Sequence, residues 1–154
     1  MRFGIQLKWT GNRGEGTNSY RGYDRNFEFS TSTSGPVLGS SAEEFLGDVE
    51  RINPEEMFLA SLSSCHMLWF LHLCADSGVV VLDYQDSAKG KLIMSEDGSG
   101  RFASATLFPR VVVKDTSMVQ KAQRLHKEAN VKCFIANSCN FEVKHEAEIS
   151  VPSY

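Results

Sequence analysis

The stretch 61-SLSSCHMLWFLHLC-74 sets a cysteine, Cys65, in the middle of a long apolar run with a histidine beside it. Three chemistries are open to such a residue: inert packing, metal ligation, or attack as a thiolate nucleophile. Metal ligation lacks its signature, because no CxxC or HExxH pair occurs and the His and Cys spacing matches no common zinc pattern. A reactive thiol needs a cation. Cys65 lies eleven positions after Pro54, beyond the first turn in which a helix dipole acts, and a buried thiol with no helper stays protonated and inert. On a helix His66 points about 100° away from Cys65 and His72 lies two turns on. Neither is expected to be a ligand. An arginine from another segment is the better helper, and Arg21, Arg25 and Arg51 all lie in regions able to fold over this helix.

The chain has three further cysteines, Cys74, Cys133 and Cys139. Cys133 sits in 130-NVKCFIANSC-139, near the end of a second helical pattern and at the start of a bend. If the two helices pack face to face, Cys133 meets Cys65 and the two form a redox pair. If they do not, each thiol is independent packing. Cys74 reads as core.

The elements that must position these groups follow from the patterning. Asn53 is an N-cap, Pro54 suits the first helical position and Glu56 completes a capping box, while Gly78 suits the stop. The spacing predicts a helix of about 24 residues, roughly 36 Å long. It is apolar nearly all round, which calls for enclosure by sheet, helices or a second subunit. The 18 residues from Met57 to Cys74 have transmembrane length, but three serines and two histidines interrupt them, which favours a buried helix over a membrane span.

Ahead of this helix, Phe3, Ile5, Leu7 and Trp9 alternate as in a half-buried strand. The Gly- and Arg-bearing stretch 11–26 reads as a surface connection, without the features of a P-loop or Rossmann turn. Residues 27–31 resume strand character. After the helix, 79–84 and 88–94 read as strands, 96-EDGSG-100 as a hairpin turn, and 102–114 as one long strand with Pro109 marking a bulge or edge. Asp115 to Lys132 reads as the second helix, with Met118, Ala122, Leu125 and Ala129 on one face and Cys133 continuing it. Phe141, Val143, His145, Ala147, Ile149 and Val151 alternate with polar residues as a last strand. The expectation is one α+β domain over residues 1–154, with two substantial helices and about six strands.

Composition agrees with a globular, reduced protein: 42% hydrophobic, 23% charged, net charge −3. No basic tract of the nucleic-acid or membrane-surface kind occurs, and the N-terminus has no apolar signal region, so a cytoplasmic protein without nucleic-acid or membrane partners is expected.

The residues 53-NPEEMFLASLSSCH-66 resemble the opening helix motif of the OsmC/Ohr family, the osmotically inducible and organic-hydroperoxide-resistance proteins. In that motif Asn-Pro-Glu-Glu is followed after eight residues by a cysteine. The family's second motif, a cysteine ending the next long helix with Asn four residues on, is similar to 125-LHKEANVKCFIAN-137. The order of strands and helices fits over nearly the whole chain. The resemblance implies an OsmC-like α+β fold, with an antiparallel sheet of about six strands wrapped around a long central buried helix, built as an intertwined homodimer. It also implies a thiol peroxidase that uses no cofactor, whether metal, haem or flavin. Carried over, Cys65 is the peroxidatic thiol, Cys133 the resolving thiol, and Glu55 the carboxylate that holds an activating arginine. That arginine lies in the family on the loop after the first strand, where Arg21 and Arg25 both stand, with Arg51 as a third option. Implied partners are a hydroperoxide substrate, organic in preference to hydrogen peroxide, and a lipoyl-type dithiol reductant. Phe134 stands where the family often has proline, and Cys139 is an alternative resolving thiol. The other reading is a non-catalytic or small-molecule-binding member of the same fold in a stress response.

One geometric demand follows. Glu55 and Cys65 are ten residues apart, or about 15 Å on a straight helix, and point about 80° apart. An arginine spanning the gap, a helix bend or a second subunit contributing part of the site would meet it.

Overall fold

Residues 1–153 are described by a computed structural model, and the chain divides into two units, Met1–Phe58 and Leu59–Tyr154. In the first unit the period-2 pattern becomes strand β1 (Gln6–Trp9), paired antiparallel with β2 (Phe27–Ser30), which pairs in turn with β3 (Val37–Gly39). The half-burial expected of the first strand is not found: Phe3, Ile5 and Leu7 are each more than 60% exposed. The connection 11–26 is pinned rather than loose. Thr10 and Asp24 donate backbone hydrogen bonds to Asn26 and Gly11, and the Trp9 indole donates to the Asp24 carbonyl. Gly11 is obligatory here, because a Cβ would sit 1.8 Å from the Asp24 oxygen.

Helix α1 (Pro54–Asp76) starts where the punctuation predicts. The Glu56 N–H donates to the Asn53 side chain at 2.8 Å and the Asn53 N–H to the Glu56 carboxylate at 3.1 Å, a complete capping box. The helix ends at Gly78, whose φ of 75° suits a residue without Cβ. By length and composition α1 is the single helix among the described residues able to cross a membrane. It buries Leu62, His66, Phe70 and Cys74, one stripe at intervals of four. Ser64, Leu68 and His72 remain exposed, so the enclosure expected all round the helix is not met within one chain.

The second unit holds two three-stranded sheets, ordered β4 (Val81–Asp86), β7 (Pro109–Val113), β9 (Glu148–Ser150) and β5 (Lys89–Met94), β6 (Gly100–Leu107), β8 (Val143–His145). This corrects the expected single antiparallel sheet of about six strands. The described residues form nine strands in three sheets, and β6 with β8 and β7 with β9 run parallel. The reason is local. The expected strand 102–114 breaks at Phe108, since Pro109 has no N–H for a ladder and the Phe108 N–H is taken by the Asp86 carboxylate at 2.7 Å. The expected last strand breaks alongside, where the Glu146 N–H bonds the Leu107 carbonyl at 2.9 Å. Each half then joins a different sheet, while the alternation of exposure holds from Phe141 to Val151.

The second helical pattern divides too. Asp115 accepts from the Ser117 N–H at 2.8 Å and caps a 3-10 turn, Thr116–Met118, before α2 (Val119–Lys132). The core of this unit joins Phe70, Cys74 and Val79 to Val111, Val113, Ala122, Leu125 and Ala129. Asp86 also accepts a hydrogen bond from Ser63, which ties α1 to the break between the sheets.

Candidate active site

Cys65 is half-buried on α1 and all four cysteines are free thiols. Cys133 is the C-terminal cap of α2 and fully buried. Its backbone N–H reaches the Asn130 carbonyl at 3.4 Å, and its sulfur accepts from the Ala136 N–H at 3.4 Å. These contacts aim the side chain inward at the bend. The Cys133 thiol lies beside Cys65. Burial pushes the Cys133 thiol up to about 11, and the neighbouring Cys65 adds to the rise. At neutral pH Cys133 is therefore a protonated thiol beside Cys65. Cys139 is not so placed: its thiol donates to the Ile135 carbonyl at 3.3 Å within its own turn. Cys74 is core, 1% exposed, and burial pushes it up to about 11.

Cys65 opens into a cavity of about 390 Å³ lined by Leu68, Trp69, His72 and Phe134. Phe134 stands edge-on to Trp69, with ring centroids 5.6 Å apart, and the Lys132 ammonium lies 5.4 Å from the Trp69 ring. His72 is exposed and pairs with Asp76 at 3.5 Å. An apolar cavity with one thiol at its wall suits a small apolar substrate carrying a reactive polar atom.

The OsmC-like protein family profile matches residues 47–148, a span that holds both helices and both central cysteines. The chain belongs to the OsmC-like family. An OsmC-like protein of unknown function from Vibrio cholerae has a similar structure, with TM-score 0.85 and 31% identity, covering 96% of this chain and 99% of that one. The uncharacterized protein YmaD of Bacillus subtilis is 28% identical, over 97% of this chain and 93% of its own length. A structure described as an organic hydroperoxide resistance protein from Legionella pneumophila aligns with TM-score 0.70, 15% identity and 98% coverage of each chain, a likeness of fold.

In this OsmC-like chain the remaining expected site residues belong to the first unit. Glu55 is half-buried in the first turn of α1. Arg25 is ordered by its own loop: its guanidinium lies 4.5 and 4.2 Å from the Tyr20 and Tyr23 rings and donates to both of their carbonyls. Arg51 pairs with Asp48 at 3.2 Å. The Arg21 carbonyl accepts from Arg13, and its exposed side chain makes no hydrogen bond or ion pair among the described residues.

Sequence reasoning missed a buried histidine cluster behind the thiols. His66 and His126 are both fully buried and share a hydrogen bond of 3.0 Å, and the His145 ring lies 5.3 Å from His66. The signal was present: His126 completes the face of Ala122, Leu125, Ala129 and Cys133 at helical spacing. Both paired rings are held neutral. Burial, then charge on His145, lowers His66 to about 4, and burial, then charge on His66 and His145, lowers His126 to about 3. Unfolded histidines protonate near 6.5. Between these values the unfolded chain binds more protons than the native one. Stability is thus full above about pH 6.5 and falls as the pH drops towards 4. His66 alone accounts for a loss on the order of 3 kcal/mol. Urea unfolding should show a clearly lower midpoint at pH 4.5 than at pH 7, and an unchanged midpoint would contradict the buried neutral pair.

Proposed function

We propose that this OsmC-like chain is a cytoplasmic, cysteine-based peroxidase that reduces organic hydroperoxides, with residues 1–154 acting as one functional domain. The observation that carries the reading is the buried Cys133 thiol beside Cys65, which in turn faces an apolar cavity. The Cys65 thiolate attacks the outer oxygen of the hydroperoxide and the O–O bond breaks. The alkoxide leaves and takes a proton to become an alcohol, and Cys65 becomes a sulfenic acid. The Cys133 sulfur then attacks the Cys65 sulfur. Its proton goes to the departing hydroxide, and water and a disulfide form. A dithiol, lipoyl-type by family resemblance, restores both thiols by two exchange steps.

Activation of Cys65 falls to an arginine, Arg21 or Arg25, with Glu55 as its carboxylate partner. The resemblance supports this, as does the lack of any partner for the Arg21 side chain among the described residues. A homodimer accounts for the uncovered apolar side chains, since Leu68 is 62%, Phe134 63% and Val131 73% exposed, as is most of the β1 strand. Sedimentation should give a dimer, and a stable, active monomer would overturn that part.

The decisive experiment adds one equivalent of cumene hydroperoxide to the reduced protein, counts thiols and maps peptides. Two thiols lost per chain and a Cys65–Cys133 linkage are expected. The reading fails if Cys65 stays reduced while free cysteine oxidises no more slowly.

A further inference from the structure

The His66–His126 bond has no part in the chemistry above, yet it joins the two helices that carry the reacting thiols. His66 follows Cys65 on α1. His126 precedes Cys133 on α2 by seven residues, about two turns or roughly 10 Å. The two rings are 6° from parallel with centroids 5.3 Å apart, and Phe70 stacks on His126 at 3.8 Å. Neither ring is free to turn.

Stability alone argues against this pair. His66 Nδ1 and His126 Nε2 are buried and have no hydrogen-bond partner among the described residues, and the same is true of the neighbouring Tyr84 hydroxyl and Asn130 Oδ1. Each such atom carries a desolvation cost that an apolar side chain of similar volume would not. What an apolar pair lacks is direction. A 3.0 Å N···N bond fixes the rotation of α1 about its axis and the slide of α2 past it, whereas leucines tolerate both. Cys65 is offset from His66 by about 100° around α1, so a small rotation of that helix swings its sulfur away from Cys133.

We propose that the His66–His126 hydrogen bond is a positioning clamp that holds α1 and α2 in the one register where the Cys133 sulfur reaches Cys65, and so governs disulfide formation rather than the first attack on peroxide. His66 and His126 are positioning residues here, since neither touches substrate. The role in turnover rests on the peroxidase reading; the register itself does not.

The test follows the two steps separately in single turnover with cumene hydroperoxide. Dimedone trapping reads Cys65 sulfenic acid, and mass spectrometry reads the Cys65–Cys133 disulfide. In His126→Leu, Cys65 oxidation should stay within about twofold of wild type, while disulfide formation slows about tenfold or more by loss of proximity and Cys65 sulfinic acid accumulates with excess peroxide. His126→Asn, whose amide occupies the place of Nδ1, should restore disulfide formation to within about threefold. His126→Gln, whose amide occupies the place of Nε2, should not. Disulfide formation at the wild-type rate in His126→Leu overturns the clamp, as does an equal fall in both steps. Should His126→Leu fail to fold by circular dichroism, the contrast between the Asn and Gln variants decides alone, and equal rates in the two overturn the clamp. A parallel arm uses diamide, which makes the disulfide without a peroxidatic step. A wild type that closes the disulfide with diamide but not with hydroperoxide refutes the peroxidase reading and keeps the clamp, provided His126→Leu closes it more slowly. Equal closure by the two proteins refutes the clamp.

Discussion

Cys65→Ser is expected to lower hydroperoxide turnover by roughly a thousandfold or more, down to the background of the reductant alone. A serine hydroxyl keeps the shape of the site but stays protonated at neutral pH and lacks the polarisable sulfur that breaks an O–O bond. Because Cys65 is half-exposed, the change should move stability by less than about 1 kcal/mol, so lost activity in this variant reads as lost chemistry. The check is peroxide consumption with dihydrolipoamide as reductant, alongside a urea melt. Turnover within tenfold of wild type would remove Cys65 from the nucleophile role.

Cys133→Ala should separate the two halves of the cycle. The first equivalent of peroxide is still consumed, because Cys65 and its cavity of Leu68, Trp69, His72 and Phe134 are untouched. The disulfide cannot form, the Cys65 sulfenic acid persists long enough to be trapped, and steady-state turnover falls roughly tenfold or more once an external thiol must replace a neighbouring one. Cys133 is fully buried, so removal of its sulfur should also cost about 1 kcal/mol. Cys139→Ser is the control. Its thiol is spent on the Ile135 carbonyl, and its loss should leave both the disulfide and turnover near wild type. If Cys139→Ser traps the sulfenic acid and Cys133→Ala does not, the resolving role belongs to Cys139.

Much of this arrangement is legible in the sequence alone. The bonds between Asn53 and Glu56 and the stop at Gly78 are local signals, complete within a few residues. The inward set from Phe141 to Val151 is likewise a property of period alone. Periodicity did not say that this run would be cut at Glu146 in step with the cut at Phe108. Those breaks depend on Pro109 and on a carboxylate, Asp86, more than twenty residues away in sequence. Nor did it single out His126, because a histidine on an apolar helical face is conspicuous only once its partner, His66, stands across from it.

The sequence by itself determined which residues have the chemistry: Cys65 within a long capped helix, Cys133 at the end of the next, and arginines at positions 21 and 25 in a glycine-rich connection. Only the tertiary structure decided between Cys133 and Cys139, placed Trp69 and Phe134 around the reactive sulfur and set two neutral histidines behind it. The physical reason is that helix starts, stops and buried faces are written in steps of two to four residues. A meeting of sulfurs 68 positions apart depends on how two helices cross, and their crossing is set by packing and by buried hydrogen bonds whose partners have no fixed spacing in the chain.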